Sequence, residues 1–175
     1  MNITVYMGSN PGKNPAFREA AEELGRFIGE NSHSLVYGGS DQGLMGVVAD
    51  AVLEAGGNVI GVFPENLKGI EGMHPGLDKL IMTDDIRERR AKMIALGDVF
   101  VALPGGPGTI EEIAEIMSLA RIDQLRGLCT LINVDGYFNH FKGQYDKMVE
   151  EGFITPQERG RIRFLESVGE LKSVM

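Results

Sequence analysis

Residues 103–112 read LPGGPGTIEE, and they join a predicted strand to a predicted helix. Residues 98–103 (DVFVAL) form a strand-like run, and residues 110–122 follow with the apolar spacing of a helix. The glycines between them let the backbone approach a ligand closely. The helix start adds free N–H groups and the positive end of the helix dipole. The stretch therefore predicts a site for an anion, most often a phosphate.

The rest of the chain repeats this alternation of strands and helices. Strands are predicted at residues 3–7, 34–37, 58–62, 79–82, 99–103, 128–132 and 161–164, and helices at 14–30, 43–55, 84–96, 109–122, 138–151 and 167–174. This order predicts an α/β fold, a single doubly wound, Rossmann-like parallel sheet with helices on both faces. No linker or repeat interrupts residues 1–175, which we expect to form one nucleotide-binding domain.

Three glycine-rich turns follow predicted strands, at residues 8–12 (GSNPG), 38–46 (GGSDQGLMG) and 104–109 (PGGPGT). Ligands of doubly wound sheets bind beyond the carboxyl ends of the strands, where the strand order reverses. Three such turns therefore favour a nucleotide or sugar-phosphate site over plain connections. No glycine loop precedes Lys-Ser or Lys-Thr, and the first turn lacks GxGxxG, which disfavours a P-loop NTPase and a dinucleotide-dependent enzyme.

Composition limits the partners of the chain. With 175 residues and a net charge of -8, it lacks the excess of basic residues that nucleic-acid binding needs, although a local basic pocket could hold a small phosphorylated ligand. The one cysteine, Cys129, fits a reducing compartment. We expect no signal peptide and no membrane span, and a cytoplasmic location. The three histidines have no metal-ligand spacing, so we expect neither a metal nor a cofactor.

The charged residues near the predicted site allow two interpretations. Thr109 and Glu112 have the spacing of a capping box, which taken alone we would favour. Arg89 and Arg90 lie beside the apolar stripe of helix 84–96, where they could form surface ion pairs or point into the site. In the second case, glycine N–H groups and an arginine would hold a phosphate. Glu112 would then face the sugar and stabilise an oxocarbenium-like transition state or activate water, as cleavage of a nucleotide N-glycosidic bond requires.

These residues resemble the LONELY GUY family of cytokinin riboside 5'-monophosphate phosphoribohydrolases, which are often mislabelled as lysine decarboxylases. The family pattern PGGxGTxxE matches residues 104–112 (PGGPGTIEE). Similarity continues at residues 8–9 (GS), 11–15 (PGKNP), 35–39 (LVYGG), 43–46 (GLMG), 133–137 (NVDGY) and 150–154 (EEGFI). The resemblance thus extends over nearly the whole chain.

The resemblance implies hydrolysis of adenosine 5'-monophosphate, plain or N6-modified, to a free base and ribose 5-phosphate, by a homodimer. It also implies that Arg89 and Glu112 are catalytic. The family motif MHxRK reads IRERR at residues 86–90, so Ile86, Arg87 and Arg90 replace the family Met, His and Lys. The arginine itself is kept, and the three replacements leave the preferred base open.

The residues expected to bind substrate lie in the glycine-rich turns, beside Arg89, or at positions where spacing alone suggests a family contact. They are Gly8, Ser9, Gly39, Glu71, Arg90, Gly105, Gly106, Gly108, Thr109 and Ser118. Tyr6, Tyr37 and Tyr137 lie near strand ends and could stack on a base.

The alternative function is a binding protein that holds a nucleotide or phosphorylated cofactor without cutting it. Molybdenum-cofactor carriers resemble this fold, and a carrier does not need the Arg89–Glu112 pair. A lysine decarboxylase would need a Schiff-base lysine for pyridoxal phosphate. We reject this third function because no lysine near the glycine-rich turns is suitably placed.

Overall fold

The computed structural model describes residues 1–69, 72–125 and 127–175, and these contain one seven-stranded sheet. The strands are β1 (Asn2–Tyr6), β2 (Ser34–Tyr37), β3 (Asn58–Pro64), β4 (Lys79–Thr83), β5 (Val99–Ala102), β6 (Leu128–Ile132) and β7 (Ile162–Leu165). Neighbouring strands pair in parallel, in the order β4-β3-β2-β1-β5-β6-β7. The predicted parallel α/β sheet is confirmed.

Helices cover both faces of the sheet. They are α1 (Pro15–Glu30), α2 (Gly43–Glu54), α3 (Ile86–Leu96), α4 (Pro107–Arg121), α5 (Asn139–Glu150), α6 (Pro156–Arg159) and α7 (Val168–Val174). Val101 and Leu103 pack with α1, α2 and α7 on one face, whereas Phe100 and Ala102 pack with α3, α4 and α5 on the other. This alternation along a single strand follows from the two-residue period of side chains, and it confirms the doubly wound arrangement. In the described part of the chain, none of the helices could span a membrane.

The strand order reverses between β1 and β5. The chain moves outward from β1 to β4 and then returns to β5 on the other side of β1. Beyond both strands, the Leu103 N–H donates to the Tyr6 carbonyl at 2.9 Å, and the Gly8 N–H donates to the Pro104 carbonyl at 3.1 Å. These bonds hold the first and third glycine-rich turns side by side, at the position where doubly wound proteins bind ligands.

Two helix boundaries near this position differ from the sequence prediction. Helix α4 begins at Pro107 instead of residue 109, with Gly106 as its N-cap. Proline suits the first helical position, because its fixed φ is already helical and it has no N–H group to leave unpaired. Helix α3 begins at Ile86 instead of residue 84, since the Asp85 side chain accepts two backbone N–H groups as an N-cap. The short helix α6 was not predicted.

Candidate active site

A cavity of about 450 Å³ opens where the strand order reverses. Its walls come from the turns after β1, β2 and β5 and from α1, α2, α3, α4 and the turn after β6. The lining residues that the argument uses are Tyr6, Gly8, Ser9, Phe17, Gly38, Arg89, Gly105, Gly106, Gly108, Thr109, Glu112 and Tyr137. This volume is in the range of small-molecule sites.

The start of α4 forms one wall of the cavity. Within the described ranges, no side chain caps this end of the helix. The first N–H groups of a helix have no partner within the helix, and the dipole places partial positive charge there. A Cβ added to Gly106 or Gly108 would meet no atom within 4 Å, so both glycines leave open space at this wall. The helix start can therefore bind an anion.

Gly105 has a different role, because it lets two turns pack against each other. A Cβ on Gly105 would collide with Oγ1 of Thr109 and would lie 2.7 Å from the backbone N of Gly8. The carbonyl of Gly8 in turn accepts the N–H of Leu44 at 3.1 Å, which ties the second glycine-rich turn to the first. The three turns thus form one compact cluster around the cavity.

Arg89 and Glu112 form an ion pair in the wall of the cavity. Nη2 of Arg89 donates to Oε1 of Glu112 at 2.9 Å, and 15% and 11% of the two side chains are exposed. Gly38 makes room for the guanidinium, since an added Cβ would lie 3.3 Å from Nη1 of Arg89. The structure therefore joins the arginine of α3 to the carboxylate of α4.

Burial governs the electrostatics of this pair. Removal from water raises the pKa of Glu112 above its ordinary value, and the positive charge of Arg89 opposes that rise. Burial and the nearby carboxylates of Glu112 and Glu115 also raise the pKa of Tyr6, which therefore remains a neutral phenol. The guanidinium of Arg89 favours the carboxylate form of Glu112. In such buried surroundings, a carboxylate interacts strongly with any charge that develops nearby.

Arg90 contacts two other carboxylates of α4. Its Nη1 donates to Glu111, and its Nε lies 3.3 Å from Oε2 of Glu115 without hydrogen-bond geometry. Arg90 does not line the cavity in the described part of the chain. Neighbouring residues of a helix point about 100° apart. Arg89 therefore contacts Glu112, whereas Arg90 contacts Glu111 and Glu115.

The capping-box interpretation of Thr109 and Glu112 does not match the structure. Because α4 begins at Pro107, Thr109 is the third helical residue and not the N-cap. Thr109 packs instead against Gly105, and Glu112 pairs with Arg89. The carboxylate is therefore available to the cavity.

The structure brings together most of the residues predicted to form the site. The lining contains Gly8, Ser9, Arg89, Gly105, Gly106, Gly108, Thr109 and Glu112. Gly39 lies outside it, in the turn after β2, where its carbonyl accepts the N–H of His74 at 2.9 Å. Ser118 lines a separate cavity of about 190 Å³ between α4 and α5. Glu71 lies outside the described residues.

Of the three tyrosines that could stack on a base according to the sequence, Tyr6 and Tyr137 line the cavity, and Tyr37 does not in the described part of the chain. Phe17 also lines the cavity and was not predicted. Tyr137 follows β6, lines the cavity and donates its hydroxyl to the Gly105 carbonyl. Phe17 of α1 packs edge-on against it, with the ring centroids 5.3 Å apart. The NVDGY stretch after a predicted strand was the available signal for Tyr137, whereas nothing in the helical pattern distinguished Phe17. Within the described ranges, no cluster of three or more His, Cys, Asp or Glu side chains could hold a metal ion.

Fold and site together define a doubly wound parallel α/β protein with a glycine-lined cavity at a helix N-terminus and a buried arginine–glutamate pair. A family model described as "Possible lysine decarboxylase" matches residues 45–175. The cytokinin riboside 5'-monophosphate phosphoribohydrolase of Rhodococcoides fascians is 40% identical over 162 residues, which cover 92% of this chain and 82% of that protein. The Arabidopsis thaliana protein LOG7, named with the same activity, is 42% identical over 157 residues, covering 90% and 72%. The chain belongs to this family, the LONELY GUY family.

Solved structures share the fold at lower identity. The molybdenum cofactor binding protein of Rippkaea orientalis superposes with a TM-score of 0.69 at 24% identity, over 99% of this chain and 96% of that one. The molybdenum cofactor carrier protein of Chlamydomonas reinhardtii gives a TM-score of 0.71 at 23% identity, over 99% and 94%. At this level of identity the likeness concerns the fold alone.

Proposed function

We propose that this protein hydrolyses the N-glycosidic bond of an adenosine 5'-monophosphate, plain or N6-modified, to a free base and ribose 5-phosphate. The central observation is the buried Arg89–Glu112 pair beside the glycine-lined start of α4. The named phosphoribohydrolases that are 40% and 42% identical over at least 90% of this chain support the same reaction.

The helix start supplies the phosphate site. In this proposal, the backbone N–H groups of Gly105, Gly106, Gly108 and Thr109 and the dipole of α4 bind the phosphate, and the open space at Gly106 and Gly108 admits it. Arg89 adds positive charge in the same cavity. With the phosphate at this wall, the ribose extends toward the Arg89–Glu112 pair.

Glu112 supplies the chemistry in this arrangement. As the bond between C1' and the base nitrogen breaks, its electron pair goes to the base and positive charge develops on the ribose. The carboxylate stabilises that charge or takes a proton from the attacking water, whose oxygen forms the new bond to C1'. Arg89 opposes the effect of burial and favours the carboxylate form of Glu112, and the proton lost by the water balances the one gained by the base.

A non-catalytic carrier is the alternative, because carrier proteins share the fold. A carrier gains nothing from a carboxylate in an anion cavity, since like charges repel and burial of a carboxylate is costly. The paired Glu112 therefore favours the enzyme. The described lining residues include no lysine, although pyridoxal-dependent decarboxylation needs one for its Schiff base.

We further propose that residues 1–175 form a single domain that works as a homodimer in the cytoplasm. The family resemblance supports the dimer, and the single cysteine supports a reducing compartment. Phe153 and Ile122, 78% and 48% exposed, offer apolar surface to a second copy. Sedimentation velocity tests this assembly, and a single monomer boundary at micromolar concentration would contradict it.

The experiment for the proposed reaction incubates the purified protein with adenosine 5'-monophosphate and with isopentenyladenosine 5'-monophosphate. Free base is then quantified by chromatography. Release of base from either nucleotide supports the hydrolase, and the ratio of the two rates gives the preferred base. Binding of intact nucleotide without release would favour the carrier.

A further inference from the structure

Tyr137 reaches the cavity from the turn after β6, the strand that neighbours β5. A 3-10 turn at Val134–Gly136 follows β6, and positive φ angles at Asp135 (50°) and Gly136 (72°) bend the chain there. The Tyr137 ring then lies edge-on to Phe17 and Phe138, with centroid distances of 5.3 and 5.0 Å. These contacts fix the direction of the ring over the cavity.

The Tyr137 hydroxyl donates to the carbonyl of Gly105, 32 residues earlier in the chain. That carbonyl belongs to the peptide that joins Gly105 to Gly106, at the N-cap of α4. In a trans peptide the C=O and N–H groups point in opposite directions. Because the Gly105 carbonyl points toward the Tyr137 hydroxyl, the Gly106 N–H points away from it.

The peptide between Gly105 and Gly106 needs such an anchor. Glycine populates more backbone conformations than any other residue, so a Gly-Gly peptide rotates easily. No described side chain caps α4 at this point. If the peptide turned over, the Gly105 carbonyl would face the anion and repel it.

We propose that Tyr137 is a positioning residue for the substrate phosphate. By holding the Gly105 carbonyl, it directs the Gly106 N–H toward the anion at the start of α4. This inference rests on the proposed function and extends it to the specificity for a phosphorylated sugar. The rings of Tyr137 and Phe17 line the cavity, whereas only the Tyr137 hydroxyl fixes the orientation of the peptide between Gly105 and Gly106.

The test is Tyr137→Phe, which keeps the ring and removes only the donor. Ribose 5-phosphate serves as the phosphate-bearing probe, because it is the reaction product and is not cleaved, and adenosine serves as the phosphate-free probe. Calorimetry is expected to show about ten-fold weaker binding of ribose 5-phosphate, the size of one hydrogen bond to a charged group, with adenosine affinity unchanged. The KM for the nucleotide rises by a similar factor while kcat is kept, since a phosphate contact acts equally in ground and transition states.

Tyr37→Phe is the matched control. Tyr37 also donates its hydroxyl to a backbone carbonyl, that of Ser40, and neither residue lines the cavity in the described part of the chain. We expect Tyr37→Phe to lower stability without changing the affinity for ribose 5-phosphate. Equal losses for both probes in Tyr137→Phe, or no loss for either, would overturn the positioning role. Wild-type protein that binds ribose 5-phosphate but cleaves no nucleotide would contradict the proposed function alone, whereas wild-type protein that cleaves the nucleotide without binding ribose 5-phosphate would overturn the positioning role alone.

Discussion

Arg89 on α3 and Glu112 on α4 form a buried ion pair, with Nη2 and Oε1 2.9 Å apart. The two residues are 23 positions apart in sequence, and the glycine-rich turn after β5 lies between them. Burial disfavours the charged form of Glu112, and Arg89 partly restores it. Each partner thus depends on the other, and removal of either leaves a buried charge unpaired.

Arg89→Ala removes the positive charge from the cavity. We expect kcat/KM for the nucleotide to fall by about 100-fold or more and its affinity to weaken, because transition-state and phosphate charge lose a fixed cation. The free energy of unfolding should fall by about 3 kcal/mol, since Glu112 remains buried without its partner. Arg87→Ala, at an exposed position of the same helix, is the control. Unchanged nucleotide affinity in Arg89→Ala would exclude Arg89 from the phosphate site.

The pH dependence of activity reports the ionisation of Glu112. If the carboxylate is the reacting form, kcat/KM rises with pH through the pKa of Glu112, which burial holds above its ordinary value. Arg89→Ala removes the charge that lowers this pKa, so the acid limb should move to higher pH. A pH–rate profile of both proteins measures the shift. An acid limb at the same pH in both proteins would contradict this assignment.

The raised pKa of Glu112 makes the free energy of unfolding fall as pH rises, whereas activity is expected to rise. Folded Glu112 holds its proton more tightly than the unfolded chain does, so its contribution is full below the unfolded pKa and is lost as pH rises through the folded pKa. Urea unfolding of wild type and Glu112→Gln between about pH 4 and 7 isolates this contribution. The wild type should lose stability relative to Glu112→Gln as pH rises. A difference that is constant with pH would contradict the raised pKa.

Gly108→Ala tests whether the ligand occupies the open space at the start of α4. An added Cβ meets no protein atom within 4 Å, and alanine in place of glycine stabilises a helix by about 0.5–1 kcal/mol. We therefore expect unchanged or higher thermal stability together with at least ten-fold weaker nucleotide binding.

Gly105→Ala is the opposite case and the comparison for Gly108→Ala. Its Cβ would collide with Thr109 and approach the backbone of Gly8, so this variant should lose stability as well as binding. Melting curves and calorimetry on both variants separate the two effects. Full nucleotide affinity in Gly108→Ala would show that the phosphate does not occupy this wall.

The fold could be predicted because each strand and helix has its own local pattern. The alternation of apolar runs, with glycines at strand ends, was sufficient for the parallel sheet and for the place where its order reverses. The start of α4 was predicted two residues late, because Pro107 and Gly108 were assigned to the turn although proline is favoured at the first helical position.

The site was harder to predict where side chains meet over long distances in sequence. Arg89 and Arg90 are equivalent in a linear pattern, and only the packing of α3 on α4 separates the partner of Glu112 from the partner of Glu111. Ile86, the first residue of α3, is 37% exposed, whereas Met93 of the same helix is 1% exposed. Tyr137 reaches Gly105 only through the geometry of the turn after β6, which the sequence does not specify.

The most direct test compares base release by the wild type and by Glu112→Gln, with Glu111→Gln as the control on the same helix. Glu111 is exposed, with 62% of its side chain accessible, whereas Glu112 is buried in the cavity wall. We expect Glu112→Gln to lower kcat by at least about 100-fold while nucleotide affinity and folding persist, because glutamine keeps the shape but not the charge or basicity. Glu111→Gln should remain close to wild type. Base release by Glu112→Gln at the wild-type rate would contradict the catalytic role of this carboxylate.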